Sequence, residues 1–385
     1  MGVLTPSNTS RWRNFRSGLG HLRSLGAIHS GVPSSPHARA DLRGIPPYQA
    51  GRPAPPGAVK LSSNENPFPP LPGVEAAIAD AGAAVNRYPD FGSERLLGAL
   101  ARRLSVDRGQ ISVGTGSVAV LSQLMTAMTG PGTEIVIPWR SFEAYPILAA
   151  LAGATLVRVP LQSDGTHDLE AMADAVTDKT RLVMVCTPNN PTGAAVPREA
   201  LERFLARIPA TVAVAVDEAY VEFVRDPETP DALDLAVTRS NVVVLRTFSK
   251  AYGLAGLRVG FAVGPAGVIS ELRKAQLPFG VTAMAEQAAI ASLGAEPELL
   301  RRVEVLVQER SRVLGAIAEM DYDVPEAQGN FVWLPLGERA DEFALASAEA
   351  GVIVRPFAGD GVRITIGRRP DNDRWLAVLR DFLGL

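Results

Sequence analysis

The sequence has few of the residues that several common enzyme chemistries require. Its 385 residues include one cysteine, Cys186, so no internal disulfide can form and a reducing compartment is favoured. Of its four histidines only His167 lies outside the N-terminal tail, which argues against a histidine-rich zinc site or a Ser-His-Asp triad. We expect His167 to be a surface turn residue, and the sequence predicts no metal site.

Charge and hydropathy exclude further classes of partner. The formal net charge is −3 at pH 7, which gives no reason to expect binding to nucleic acid or to an anionic membrane. No apolar run approaches the roughly 20 residues that span a bilayer. A hydrophobic content of 46% with a charged content of 21% is typical of a soluble globular enzyme. We therefore expect a cytoplasmic protein.

Composition divides the chain into four segments. Residues 1–40 are rich in Ser, Arg, Gly and Pro and contain no acidic residue, which predicts a disordered extension. Residues 41–65 include a Pro-rich connector and are expected to form an arm that joins the small domain. Residues 66–275 alternate short β-rich runs with helical ones, which predicts a large α/β domain with a mostly parallel sheet flanked by helices. Residues 276–385 predict a smaller α+β domain.

Apolar runs give the expected positions of the strands and of the longest helices. In the large domain we predict strands at 111–113, 134–137, 155–159, 181–185, 212–216, 242–245 and 259–263. In the small domain we predict a helix at 298–320, strands at 331–334, 352–355 and 362–366, and a closing helix near 372–382.

Lysine is scarce, and its scarcity directs attention to one position. The chain has four lysines: Lys60, Lys179, Lys250 and Lys274. Lys250 follows the apolar run 241–245 directly after Ser249, and Arg258 lies eight residues further on. A lysine at a strand end can bond to an aldehyde as a Schiff base, and a nearby Ser and Arg can hold a phosphate. Pyridoxal phosphate (PLP) has both groups, so the sequence predicts this cofactor. We expect the other three lysines to be solvated.

More polar residues follow neighbouring strands of the predicted sheet. Asn190 comes after the strand at 181–185, and Asp217 ends the strand at 212–216. Ligands of open α/β sheets bind beyond the carboxyl ends of the strands. An aspartate that faces a pyridine nitrogen keeps it protonated, a role that suits Asp217, although a helix N-cap is the alternative. Tyr220 and Asn190 can bond the phenolic oxygen of the ring.

A turn and an aromatic residue complete the predicted cofactor site. Gly116 and Ser117 precede the helical run 118–128 and offer backbone N–H groups and a helix N-terminus to the phosphate. We expect Phe142 to stack on the ring, with ordinary core packing as the alternative.

Two arginines near the C-terminus suit the substrate. Arg363 lies between two apolar residues at the start of a predicted strand, and Arg355 ends another. A bidentate arginine is the natural partner of an α-carboxylate, which we assign to Arg363. Arg355 could bind a phosphate or the distal carboxylate of glutamate.

Together these residues resemble the fold-type I, PLP-dependent aminotransferases of class I/II, within them the histidinol-phosphate aminotransferase branch. The resemblance covers roughly 41–385 and rests on six motifs, at residues 61–67, 87–90, 187–193, 217–220, 247–258 and 362–365. It implies a homodimer with active sites at the subunit interface, where Tyr88 reaches the cofactor phosphate of the partner. It also implies that Thr247 contacts the cofactor, that Asn64 contacts the substrate, and that Ser117, Ser249 and Arg258 bind the phosphate.

One departure from that branch concerns the substrate. Val118 and Ala119 occupy positions at which histidinol-phosphate enzymes commonly carry acidic residues. With the motifs at 139–145 and 330–336, this is similar to the actinobacterial aromatic-amino-acid (phenylalanine) aminotransferases. Apolar replacements suit a phenyl or indole ring. We therefore expect ping-pong amino transfer between an aromatic L-amino acid, with phenylalanine favoured, and 2-oxoglutarate; histidinol-phosphate transamination is the alternative.

Two rival classes stay open on the sequence alone. A PLP-dependent decarboxylase or α-oxoamine synthase would share the fold. An aminotransferase-like sensor domain of a transcription factor would carry a basic helix-turn-helix upstream, for which the short Ser/Gly-rich tail has no room.

Overall fold

The computed structural model describes residues 51–229 and 231–385, together with residues 39, 42, 45, 47 and 48. The predicted extension at 1–40 lies outside the described residues except for Arg39. The chain divides into residues 1–43 and a compact unit of residues 44–385. Among the described residues, no helix combines the length and the apolar character needed to cross a membrane.

The strands of the described residues are short and largely buried. They are β1 (Val59–Lys60), β2 (Ile111–Gly114), β3 (Glu134–Trp139), β4 (Thr155–Pro160), β5 (Thr180–Cys186), β6 (Ala213–Asp217), β7 (Val242–Thr247), β8 (Gly260–Val263), β9 (Phe331–Leu334), β10 (Val352–Ile353), β11 (Arg355–Phe357) and β12 (Gly361–Thr365).

The helices pack around these strands. They are α1 (Pro72–Gly82), α2 (Glu94–Leu104), α3 (Ser117–Met128), α4 (Ala144–Ala152), α5 (Leu169–Asp174), α6 (Arg198–Arg207), α7 (Leu233–Thr238), α8 (Ala266–Lys274), α9 (Ala283–Gly294), α10 (Glu296–Ala318), α11 (Ala340–Glu349) and α12 (Arg369–Leu383).

Seven of these strands form the central sheet, in the spatial order β2-β8-β7-β6-β5-β3-β4. β8 runs antiparallel to both of its neighbours, whereas the pairs among β3 to β7 are parallel. Successive side chains of a strand point to opposite faces, and both faces are apolar here because helices cover both. Val214 and Val216 of β6 join one hydrophobic cluster, and Ala213 and Ala215 join the other. The predicted α/β fold with a mostly parallel sheet is confirmed.

The C-terminal part contains a separate antiparallel sheet, in the order β11-β12-β9. The predicted single strand at 352–355 is wrong, because the chain changes partners within it: Val352 and Ile353 pair with β1, and Arg355 begins the pairing with β12. The predicted helix at 298–320 begins earlier, with Pro297 in its first turn, where the missing N–H costs no hydrogen bond. The domain limits at 41–65, 66–275 and 276–385 stay a prediction.

His167 corrects another expectation. The prediction that it is a surface turn residue is wrong, because the side chain is buried. Its backbone pairs with Leu161 in an isolated antiparallel bridge, which joins the two ends of the loop that follows β4. Burial lowers the pKa of the imidazole to about 4, so His167 is neutral at pH 7.

Candidate active site

The polar residues singled out in the sequence meet at one edge of the central sheet. β6 lies between β5 and β7, with Asp217 opposite both Cys186 and Leu245. Asn190 follows β5 and Lys250 follows β7, so three neighbouring strands place their polar ends side by side. The N-terminus of α3 and the loop after β3 reach the same edge.

A cavity of about 620 Å³ opens at this edge. The predicted site residues that line it are Ser117, Phe142, Asn190, Asp217, Tyr220, Thr247, Ser249, Lys250, Arg258, Arg355 and Arg363. Its apolar wall includes Val118, Ala119, Ile147, Leu148 and Phe357. A cavity of this size, with an apolar wall and a few convergent polar groups, is typical of a small-molecule site.

Lys250 is held over this cavity by backbone groups. Its Nζ donates to the carbonyl oxygens of Ser63 at 3.1 Å and of Asn64 at 3.3 Å. Burial, together with the positive charges of Arg363 and Arg258, lowers the pKa of its amine to about 7. A substantial fraction of the amine is therefore neutral at pH 7 and able to act as a nucleophile or a base.

The other lysines lack these surroundings. Lys179 and Lys274 are exposed, as expected. Lys60 is 35% exposed and forms a surface ion pair with Glu65 at 2.9 Å, so it stays in contact with water as expected. None of these three lines the cavity.

Asp217 presents one free carboxylate oxygen. Its Oδ2 accepts a hydrogen bond from the hydroxyl of Tyr145 at 2.7 Å. Its Oδ1 is buried and has no hydrogen-bond partner among the described residues. Burial raises the pKa of this carboxyl, opposed by the bond from Tyr145, the Ala219 backbone N–H and the charge of Lys250. An unpartnered buried oxygen is costly unless a ligand supplies the donor, and a protonated pyridine nitrogen fits.

A second group of residues forms a corner suited to an anion. The hydroxyls of Thr247 and Ser249 lie 3.0 Å apart, and Ser249 Oγ accepts from Arg258 Nη1 at 3.3 Å. Gly116 has φ +83°, a conformation that favours glycine, and a Cβ at this position would lie 2.5 Å from Arg258 Nη2, so a side chain here would displace the guanidinium. Ser117 begins α3, whose N-terminus carries a positive partial charge. This corner fits a phosphate.

Arg363 faces the same cavity from the small sheet. It donates to Asn190 Oδ1 at 2.5 Å and to the Ser62 carbonyl oxygen at 2.7 Å, while its buried Nε has no partner among the described residues. A buried guanidinium with donors to spare is suited to a carboxylate.

Three predicted site residues do not line the cavity. Gly116 lies next to Arg258 at its anion corner. Asn64 is fully buried behind it, where its amide donates to the Tyr220 hydroxyl at 3.0 Å. Tyr88 is 84% exposed, and its ring centroid lies 4.7 Å from that of Phe279. Within one chain, therefore, Asn64 contacts a cavity residue, and Tyr88 lies on the surface.

Sequence reasoning missed several residues that the structure adds, including Ile147 and Leu148 of the apolar wall. Tyr145 holds Asp217, and Tyr48, Glu143 and Phe357 line the cavity. Tyr145 and Glu143 flank the predicted Phe142 within a few positions, which was the available signal. Tyr48 and Phe357 come from distant segments of the chain, and no local sequence signal pointed to them. In the described part of the chain, no group of three or more His, Cys, Asp and Glu residues could hold a metal ion.

Comparisons with known proteins agree with this geometry. The family model described as "Aminotransferase class I and II" matches residues 56–379. The chain is 56% identical over 352 residues to the aromatic amino acid aminotransferase of Streptomyces avermitilis, covering 91% of this chain and 98% of the relative. It is 55% identical to that of Streptomyces coelicolor, with the same coverage.

A solved structure extends the comparison to the fold. The histidinol-phosphate aminotransferase of Sinorhizobium meliloti in complex with pyridoxal-5'-phosphate has a TM-score of 0.78 and 29% identity, covering 85% of this chain and 91% of the other. The chain belongs to the class I and II aminotransferases, a family of PLP-dependent transaminases.

Proposed function

We propose that this protein is an aromatic amino acid aminotransferase. It would transfer the amino group between an aromatic L-amino acid, with phenylalanine favoured, and 2-oxoglutarate in two half-reactions. The observation that carries this proposal is the apolar wall of the cavity, which includes Val118, Ala119, Ile147 and Leu148. The relatives named aromatic amino acid aminotransferase support it. An apolar pocket favours a phenyl ring over an imidazole phosphate.

Lys250 is proposed as the catalytic lysine. When bound, PLP supplies an aldehyde that takes up the amino group and a protonated ring that withdraws electrons from the substrate Cα. Lys250 would hold the cofactor through Nζ and, as a free amine, carry the Cα proton. The pKa of about 7 supports both tasks, because general acid-base catalysis is most effective when the pKa lies near the working pH.

Asp217, Tyr220 and Asn190 are proposed to hold the ring. The free Oδ1 of Asp217 would accept from the pyridine N–H and keep the ring protonated. The Tyr220 hydroxyl and the Asn190 amide would bond the phenolic oxygen. Phe142 lines the cavity and is proposed to stack on the ring; its ring centroid lies 5.6 Å from that of Tyr145 in a T-shaped contact.

The phosphate corner is proposed for the cofactor phosphate. The hydroxyls of Ser117, Thr247 and Ser249 and the guanidinium of Arg258 would bind it, with Gly116 allowing the close approach. This assignment is supported by the Ser249–Arg258 contact and by the N-terminus of α3.

The two arginines of the small sheet are proposed to bind the substrate. Arg363 would take the α-carboxylate with Asn190 beside it, and Arg355 would take the distal carboxylate of 2-oxoglutarate. Asn64 would act through Tyr220, whose hydroxyl accepts from its amide. Asn64 is therefore proposed as a positioning residue that does not touch the substrate directly.

A rate comparison tests the substrate. With glutamate as donor, kcat/KM is measured for phenylpyruvate and for imidazole-acetol phosphate as acceptors. We expect phenylpyruvate to be favoured by about tenfold or more. A preference for imidazole-acetol phosphate would establish histidinol-phosphate transamination instead, a reading that Arg355 in the cavity keeps open. Release of CO2 without amino transfer would establish a decarboxylase.

We also propose a homodimer. Tyr88, Phe91 and Phe279 form an exposed aromatic cluster, with Phe91 and Phe279 centroids 5.5 Å apart and Leu277 exposed beside Phe279. Exposed apolar patches of this kind mark protein interfaces. A second copy would cover the cluster, and Tyr88 would reach its cofactor phosphate. Sedimentation velocity should give twice the chain mass. The variant Tyr88→Phe should keep that mass and retain PLP more weakly. A monomer with full activity overturns the proposal.

The domain division and the location are proposals as well. An arm at 41–65, a large domain at 66–275 and a small domain at 276–385 are supported by the two separate sheets and by the β1–β10 pairing. Limited proteolysis with mass analysis of the fragments tests those limits.

A cytoplasmic location is supported by the single cysteine, a buried free thiol, and cell fractionation tests it.

A further inference from the structure

One carboxylate on the cavity wall, that of Glu143, has no role in the proposed mechanism and pairs with Arg355. Arg355 Nη2 lies 2.7 Å from Glu143 Oε2, and both residues line the cavity. The Arg355 side chain is 12% exposed and that of Glu143 is 31% exposed. The two come from different parts of the chain, Arg355 from the start of β11 and Glu143 from the residue before α4.

The small sheet explains why a carboxylate is needed there. Arg355 and Arg363 are directly opposite in the β11–β12 pairing, so both project from the same face. Like charges in this arrangement repel each other. Both guanidinium groups also approach the ring of Phe357, at 5.5 Å and 5.9 Å from its centroid. Among the described residues that line the cavity, the acidic ones are Asp217 and Glu143, and Glu143 is the one that pairs with Arg355.

The two substrates of the proposed function place opposite demands on this wall. A dicarboxylate offers Arg363 one carboxylate and Arg355 the other, whereas an aromatic substrate offers a carboxylate to Arg363 alone. With the aromatic substrate bound, the charge of Arg355 would lie beside an apolar ring, and a largely buried charge is costly there. The Glu143 carboxylate at 2.7 Å lowers that cost. Because Glu143 is the more exposed partner, it can return to water when a distal carboxylate replaces it.

We propose that Glu143 is a specificity-determining residue: it neutralises Arg355 while an aromatic substrate is bound and competes with the distal carboxylate of a dicarboxylate substrate. The inference rests on the proposed function. The Glu143 carboxylate thus takes the place beside Arg355 that the second carboxylate of glutamate or 2-oxoglutarate would occupy.

Binding of non-reacting ligands to the PLP-loaded enzyme tests the proposal. Glutarate imitates the dicarboxylate and 3-phenylpropionate imitates the aromatic acid, and each dissociation constant is read from the change in cofactor absorbance. Glu143→Gln keeps the shape and removes the charge. We expect glutarate to bind about tenfold more tightly to this variant and 3-phenylpropionate to bind equally or a few-fold more weakly.

Two further variants make the result specific. In an Arg355→Gln background, Glu143→Gln should no longer change glutarate binding, because Glu143 then has no Arg355 charge to neutralise. The four proteins form a double-mutant cycle that isolates the coupling between the two charges. Glu304→Gln, which breaks the Arg225–Glu304 surface pair of 2.9 Å away from the cavity, should leave both constants unchanged. Equal effects of Glu143→Gln on both ligands, or none, overturn the proposal.

Failure of the proposed function gives a different result. A wild-type enzyme that does not transfer the amino group from glutamate to phenylpyruvate refutes the function, whatever the ligands do. A wild-type enzyme that performs this transfer, combined with an unchanged glutarate to 3-phenylpropionate ratio in Glu143→Gln, refutes the inference alone.

Discussion

The inner wall of the cavity stands on adjacent strands of the central sheet, whereas its mouth is assembled from segments far apart in the chain. The inner wall is formed by Lys250, Asp217 and Asn190, which follow or end β7, β6 and β5. The mouth is formed by Tyr48, Glu143, Arg355 and Phe357, which come from the N-terminal arm, the loop after β3 and the small sheet. A rigid sheet fixes positions more exactly than loops do.

The two regions also differ in electrostatics. Burial moves the pKa of Lys250 down to about 7 and that of Asp217 upward. The Arg355–Glu143 pair at the mouth keeps partial contact with water, which weakens its interaction. The difference indicates a division of labour. Changes at the inner wall should act on the chemical step, and changes at the mouth should act on affinity and selectivity.

The largest effect is expected from Lys250→Ala. With the amine gone, no group in this position can hold the cofactor covalently or move the Cα proton, so kcat should fall by about four orders of magnitude or more. Single-turnover absorbance changes with phenylalanine measure the loss. The exposed Lys274→Ala serves as the matched control and should keep the wild-type rate. Near wild-type turnover in Lys250→Ala would refute the assignment.

A smaller loss is expected from Asp217→Ala. Without the carboxylate the ring nitrogen loses its proton and its pull on the substrate electrons, so kcat at saturating PLP should fall by about two to three orders of magnitude. Tyr145→Phe keeps the carboxylate and removes the bond of 2.7 Å to Oδ2. It should cost about tenfold or less and shift the cofactor absorbance. Equal losses in the two variants would contradict a direct role for Asp217.

The same contrast decides what the sequence could predict. Strand patterns place Asn190, Asp217 and Lys250 at strand ends, and the edge of a parallel sheet then brings them together without further information. Fold class and cofactor were accessible for that reason. Tyr48 and Phe357 reach the cavity only through tertiary packing, and no local pattern marks them. The split of 352–355 into two strands depended equally on partners distant in sequence.

The smallest effect is expected at the mouth, from Tyr48→Ala. The Tyr48 ring lies 6.4 Å from that of Phe142 in a T-shaped contact, and the residue is half-exposed. Aromatic contacts of this kind contribute about 0.5–1.5 kcal/mol, so KM for phenylpyruvate should rise about three- to tenfold while kcat stays within about twofold. Initial rates over a range of phenylpyruvate concentrations separate the two constants. Tyr48→Phe, which keeps the ring, should behave as wild type. A fall in kcat as large as that of Asp217→Ala would show that the mouth takes part in the chemical step. The inner wall and the mouth would then not differ in function.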